Sequence, residues 1–286
     1  MNILVFADLH GRILLALKLA VRLQKERNIK LDLILQCGDM GIYPDVSQLD
    51  KATIRHAQRD ESELGFSQYF VRPHNEVQSV LNELHCDFAC VRGNHEDHAF
   101  LNEQEQSSSD SRFVVDCYKR LFVCKTGFLQ NFGQDDQMPS MVGIGRIGHR
   151  GNKSPNENQR FIQPYEQQAL KVLRRQTQHV DILLSHDCPL HFFDKDFGMQ
   201  QIRDFLDFHK PFYHFFGHTG HPYQAVTDEN RFTTSVKVAE LTWQHNGILP
   251  EGSMVLLRWS DQFAHEIESV NDFWIQEYTY EAWKYL

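Results

Sequence analysis

Short apolar runs that stop at an aspartate, asparagine or histidine recur along this chain. Asp8-Leu9-His10, Gly38-Asp39, Arg92-Gly93-Asn94-His95-Glu96, Ser185-His186-Asp187 and Gly217-His218 lie in that order, and nearly every one follows such a run. Ile3-Leu4-Val5-Phe6-Ala7 shows the pattern: it has no helical period and halts at Asp8, as a buried strand would. One acid or imidazole in a loop is ordinary. A set of strand ends that all deliver oxygen or imidazole donors requires a fold that gathers those ends along one edge of a sheet.

The order of elements supplies such a fold. Residues 3–7, 31–37 and 88–92 read as strands. A helix over 13–27, a polar helical segment over 47–64 and a helix over 74–84 lie between them. Three βα repeats imply a largely parallel sheet covered by helices. Residues 104–111 read as a polar surface loop, and 113–117, 121–125 and 127–132 as antiparallel strands. A strand at 140–145 leads into 146–160, rich in glycine, asparagine and basic residues. Helices are expected over 163–178 and 200–209, with strands at 180–185, 213–217, 223–227, 232–238, 254–259 and 263–267. The aromatic stretch 273–283 is expected to pack on the body. No linker or internal repeat divides the chain, so 1–286 reads as one domain built from two sheets.

A hydrophobic content of 41% and a charged content of 23% are those of an ordinary soluble globule. The formal net charge of −9 excludes broad electrostatic capture of nucleic acid, which needs an extended basic surface. It permits a small phosphate-bearing substrate, because bound dications reverse the local sign. Six cysteines show no paired CxxC spacing and read as free thiols in a reducing compartment. Residues 1–7 show no basic n-region or cleavage signal, so no leader is expected, and no apolar stretch approaches the about 20 residues that span a bilayer. The expected location is the cytoplasm.

Two dications about 3.5–4 Å apart acidify a water and neutralise phosphoryl oxygens. They need a bridging carboxylate and a mix of oxygen and imidazole ligands. Asp8 and His10 can meet one ion, Asp39 is placed to bridge, and Asn94, His186 and His218 can complete the second. Taken singly, each has a bland reading: Asp8 as a helix cap, Asp39 as a turn former, His186 as a core histidine.

Taken together, the motifs resemble the calcineurin-like metallophosphoesterase superfamily, whose pattern is DxH, GD, GNH[DE], H and GHxH, over residues 2 to 222. The resemblance implies a four-layer α/β/β/α sandwich of two mixed sheets flanked by helices. It assigns Asp8, His10 and Asp39 to a first ion and Asp39, Asn94, His186 and His218 to a second. It makes His95 the residue that protonates the leaving oxygen or stabilises the transition state. Two departures stand out. The second histidine of the last motif is replaced by Gly220, so His221 is one residue late as a ligand of the first ion. The GDxxDRG signature of the serine/threonine phosphatases is absent, leaving Asp45, Glu96 or Asp97 to orient His95.

Arg92 is expected to contact substrate, and Arg146, His149, Arg150 and Lys153 form a basic loop that could line the entrance. Tyr43, Phe197 and Tyr223 could stack on a base, although core packing is the default role of each. The expected chemistry is metal-dependent hydrolysis of a phosphoric ester, with a hydroxide held between the ions attacking phosphorus in line. The expected cofactor is two divalent ions, Mn²⁺ before Zn²⁺ or Fe. A phosphodiesterase or nuclease acting on a nucleotide or single-stranded nucleic acid is the leading reading. A phosphomonoesterase, a nucleotide pyrophosphatase and a catalytically idle metal-binding scaffold are the rivals.

Overall fold

Alternation along the first strand sorts its side chains between two cores. In β1 (Asn2–Phe6), Leu4 and Phe6 join one buried cluster while Ile3 and Val5 join another, and all four are wholly buried. The computed structural model describes residues 1–132, 138–149, 158–176 and 178–286. The strands that follow are β2 (Leu33–Gln36), β3 (Asp87–Cys90), β4 (Arg112–Val114), β5 (Leu121–Cys124), β6 (Leu129–Gln130), β7 (Met141–Ile144), β8 (Ile182–Ser185), β9 (Tyr213–Phe216), β10 (Gln224–Thr227), β11 (Thr234–Lys237), β12 (Val255–Asp261) and β13 (Ala264–Ser269). One sheet has the order β13-β12-β1-β2-β3-β5-β4 and the other β10-β11-β9-β8-β7-β6.

Both sheets are mixed. β1, β2, β3 and β5 run parallel, with β12 antiparallel to β1 and β4 antiparallel to β5. In the second sheet β7, β8, β9 and β11 run parallel, edged by antiparallel β6 and β10. Helices α1 (Ile13–Arg27), α2 (Lys51–Ala57), α3 (Gly65–Tyr69), α4 (Asn75–Glu83), α5 (His98–Ser107), α6 (Pro164–Arg175) and α7 (Gln200–His209) flank them. Leu4, Phe6, Ile34 and Phe88 pack against α1 and α4, whereas Val142, Ile144 and Leu183 pack against α6 and α7. The third cluster, with Val5, Leu35 and Val91 from one sheet and Leu184, Phe215 and Val236 from the other, lies between the sheets. Each such side chain contributes about 1.5–3 kcal/mol when fully buried. These three cores define the four layers expected from the motifs.

Trp274, Ile275, Tyr278 and Trp283 of the aromatic tail are buried in the helical core beside α1. Among the described residues no helix is long and apolar enough to cross a membrane. The cysteines are free, and all but Cys117 are buried.

Three local expectations are corrected. The stretch expected as a loop over 104–111 begins inside α5, because Asp97 caps that helix through Phe100 N at 3.1 Å and glutamine and glutamate sustain it to Ser107. The polar segment 47–64 is broken by Asp50 and Asp60, each capping a new short helix. Of the three strands expected to be antiparallel, β6 leaves for the second sheet and pairs with β7.

Candidate metal centre and active site

The parallel strands place their carboxyl ends on one side, and the site is assembled there. Asp8 follows β1, Asp39 follows β2, Asn94 and His95 follow β3, His186 follows β8 and His218 follows β9. Backbone bonds lace the loops together: Asp8 N donates to Gly38 O at 3.2 Å, His10 N to Asp39 O at 2.9 Å and Gly11 N to Met40 O at 2.8 Å. The Glu96 carboxylate ties the β3 loop to the β2 loop by accepting from Met40 N at 3.0 Å and Ile42 N at 2.6 Å.

Backbone strain concentrates at this edge. Among the described residues eleven non-glycine residues have positive φ, and Asp8 (48°), His10 (43°), Asp39 (54°) and His218 (63°) are four of them. Such conformations are costly for residues with a Cβ and persist where the surroundings over-determine them, as at functional sites. Two motif glycines explain how the carboxylates fit. A Cβ on Gly93 would lie 2.0 Å from Asp39 Oδ1, and one on Gly217 would lie 2.4 Å from Asp8 Oδ2.

Donor atoms of Asp8, His10 and Asp39 form one group within 4.8 Å of one another, and those of Asp39, His186 and His218 form a second. Asp39 is common to both. Asn94 Oδ1 lies 3.0 Å from His186 Nε2, and Asp39 Oδ2 lies 3.4 Å from it. His186 Nδ1 contacts Cys37 O at 2.8 Å, which places its proton on Nδ1 and leaves Nε2 as the coordinating atom. The donor set of carboxylates, imidazoles and one amide suits divalent ions of borderline hardness.

Charge is unusually dense for a buried site. Burial, with Asp39 adding to it, lifts the Asp8 carboxyl above its ordinary range against the pull of His186, Lys237 and His218. Burial also opposes ionisation of Asp39, but His186, His10 and His95 outweigh it and hold that carboxyl well below the usual range. Burial pushes His10 down to about 4 despite Asp39, so its imidazole is neutral and free to coordinate. Burial would lower His186 too, but Asp39, Asp8 and the Cys37 carbonyl raise it to about 9. Metal binding at His186 is therefore coupled to proton release.

His95 faces the same cleft, its ring 5.6 Å from that of His10. Its backbone N–H donates to Asp39 Oδ1 at 2.6 Å, and its Nδ1 meets Asp50 Oδ2 at 2.6 Å. Burial would lower the His95 imidazole, but the Asp50 hydrogen bond and the charges of Asp39 and Asp50 raise it. Asp50 is the orienting acid, in place of the three expected. Asp45 caps the turn at Ser47, Glu96 clamps the β2 loop and Asp97 caps α5. Asp50 does two jobs at once: Oδ1 caps α2 through Ala52 N and Thr53 N, while Oδ2 takes His95 and the Tyr43 hydroxyl at 2.9 Å. Tyr43 is buried, with its hydroxyl on this acid.

The expected substrate residues lie elsewhere. Arg92 is buried and donates to Asn102 Oδ1 at 2.7 Å, Leu101 O at 2.9 Å and the Glu105 carboxylate, all on α5. Arg146 is wholly buried, pairing with Glu166 of α6 at 3.0 Å and bonding Gln159 O. Helix-borne acids on that side draw both guanidinium groups away from the cleft. His149 is exposed with its ring edge-on to Phe161, and Arg150 and Lys153 lie outside the described residues. His221 is exposed and stacks on Phe193 at 4.0 Å, outside both donor groups.

The cleft over the donors encloses about 240 Å³. Besides Asp8, His10, Asp39, His95 and His218, its walls are Ala52, Thr53, His56, Glu63, Gly220 and Glu240. Sequence reading missed those walls and Asp50, since no spacing relates α2 or residue 240 to the motifs.

A family model described as calcineurin-like phosphoesterase matches residues 1–222. No curated protein matches the sequence. Among solved structures, TT1561 of Thermus thermophilus is similar at 18% identity and a TM-score of 0.54, covering 94% of this chain and 98% of that one. GAP50, described as the anchor in the inner membrane complex of Plasmodium, is similar at 8% identity and a TM-score of 0.51, covering 95% and 89%. At such identities these two show the fold alone. The family model spans every strand-end donor, and the shared fold sets those donors around Asp39: this chain belongs to the calcineurin-like phosphoesterase family, enzymes that hydrolyse phosphoesters with divalent metals.

Proposed function

We propose that this enzyme is a phosphodiesterase that acts on a nucleotide or single-stranded nucleic acid, with two divalent ions, Mn²⁺ foremost. Asp8, His10 and Asp39 would hold one ion, and Asp39, Asn94, His186 and His218 the other. Bound dications supply Lewis-acid polarisation of the phosphoryl oxygens and an acidified water. His95 supplies the proton. With Nδ1 held by Asp50, the imidazolium presents Nε2–H to the leaving oxygen as the ester bond breaks.

The observation that carries the diester reading is the composition of the cleft. Among the described residues its walls contain no lysine or arginine but do contain Glu63 and Glu240. Glu63 is offset by its ion pair with Arg12, but a dianionic monoester would still meet the Glu240 carboxylate, whereas a diester brings one charge to the ions. Arg92 and Arg146 bind no substrate in this reading. The net charge of −9 supports a small or single-stranded substrate over duplex DNA.

Turnover of bis-p-nitrophenyl phosphate and p-nitrophenyl phosphate with added Mn²⁺ tests the proposal. The diester should have the higher kcat/KM by at least about tenfold, roughly 1.4 kcal/mol of transition-state preference. The reverse preference would assign a monoesterase. Turnover of neither ester, with two ions bound, would leave only a metal-binding scaffold.

A further inference from the structure

The cleft holds two glutamates, and among the described residues only Glu63 is in an ion pair. Glu63 Oε1 is paired with Arg12 Nη2 at 2.9 Å, and Arg12 is itself buried and shared with Asp60. Glu240 has no hydrogen bond or ion pair to its carboxylate among the described residues, although it lines the same cleft. Its backbone sets it beside the first donor group. Glu240 bridges Ala7 in parallel register, and Leu241 N donates to Ala7 O at 3.3 Å, so the segment after β11 runs alongside the residue preceding Asp8.

That donor group is short of protein ligands. Asp8, His10 and Asp39 give three donors, His218 groups with the other set, and His221 is stacked on Phe193. Gly220 and Glu240 line the same cleft, and nothing lies within 4 Å of where a Cβ on Gly220 would be. An unpaired carboxylate in the same cleft as an incomplete donor set has one evident use. We propose that Glu240 is a ligand of the first ion, making that site Asp-His-Asp-Glu with a single imidazole. Its carboxylate is outside the tight group of three, so it would reach the ion by rotating within the cleft it shares with Asp8, His10 and Asp39.

A donor set with one more carboxylate and one fewer imidazole favours harder ions, Mn²⁺ or Mg²⁺, over Zn²⁺. The proposal rests on the assignment of Asp8, His10 and Asp39 to an ion, but not on the reaction catalysed. It also places a site residue beyond 222, where the family match ends.

The test is calorimetric titration of the full chain, stripped of metal, with Mn²⁺ and separately with Zn²⁺. Wild type should bind two Mn²⁺. Glu240→Gln should weaken one of those events by at least about tenfold and leave the other within about twofold. Glu240→His should restore the weakened event for Zn²⁺ more than for Mn²⁺, reversing the preference at that position. Unchanged Mn²⁺ affinities in Glu240→Gln would overturn the proposal. If that variant fails to fold, an unshifted Zn²⁺-to-Mn²⁺ ratio in Glu240→His overturns it equally. Because the readout is binding, wild type could bind both ions and hydrolyse neither ester, which would sink the functional reading and leave this one standing.

Discussion

Replacing Asp50 by asparagine isolates the link between α2 and the proton donor. Asparagine keeps the side-chain oxygen that accepts from Ala52 N at 2.8 Å and Thr53 N at 3.0 Å, and it is as good an N-cap as aspartate. The helix should therefore lose at most about 1 kcal/mol. The contact at 2.6 Å to His95 Nδ1 changes character, because the carboxylate that stabilised the imidazolium is gone. A hydrogen bond to a charged group contributes about 1.5–3 kcal/mol, so kcat/KM should fall roughly 10- to 150-fold. The sign of the pH effect follows. Asp50 and Asp39 raise His95 above its ordinary value against burial, so Asp50→Asn lowers it. A reaction that needs protonated His95 is lost as pH rises through that value, so the alkaline limb of kcat/KM should move to lower pH. The assay is the pH profile on two diesters with good and poor leaving groups, and the loss should be larger for the poor one. An unshifted alkaline limb, with equal losses on both esters, would refute the role given to the Asp50–His95 pair.

Other consequences are simpler. Arg146→Met should cost about 3–5 kcal/mol, because it strands the buried Glu166 carboxylate; turnover per folded molecule should be nearly unchanged, measured by urea unfolding and by rates below the transition. A large rise in KM instead would return Arg146 to the substrate. Gly93→Ala drives a Cβ to 2.0 Å from Asp39 Oδ1, so metal content after dialysis against Mn²⁺ should collapse. His214, wholly buried between Ser185 Oγ and Ser235 Oγ, is pushed down by burial to about 3. The folded chain then excludes a proton that the unfolded chain binds below about pH 6.5, so stability is full above that value and falls toward about pH 3. Between pH 7 and 5 in a chelator, wild type should lose about 2 kcal/mol more than His214→Gln, and equal losses would refute the assignment.

The strand-end donors were legible because a parallel sheet makes chain order and spatial order agree at its carboxyl edge. Asp8, Asp39, Asn94, His186 and His218 needed only a strand before them and a turn after them. What was illegible depends on which way a side chain turns. Arg92 at a strand end reads alike whether it faces a phosphate or Glu105, and α5 decides that. Asp50 looks like any helix cap in a polar segment, and only the fold of α2 over the β3 loop brings it to His95. His221 promised a ligand by type but sits one residue late, and its ring finds Phe193. Glu240 follows a strand as the other donors do, but no motif frames it.

The central claim is that the strand-end donors form a two-ion centre on which turnover depends. Titrating metal-free protein with Mn²⁺ while following hydrolysis of bis-p-nitrophenyl phosphate tests it most directly. Turnover should be absent without metal and plateau at two equivalents per chain, and Asp39→Asn, whose carboxylate is common to both donor groups, should neither bind two ions nor turn over. Full activity in the metal-free protein, or an Asp39→Asn variant that binds two ions and turns over normally, would contradict it.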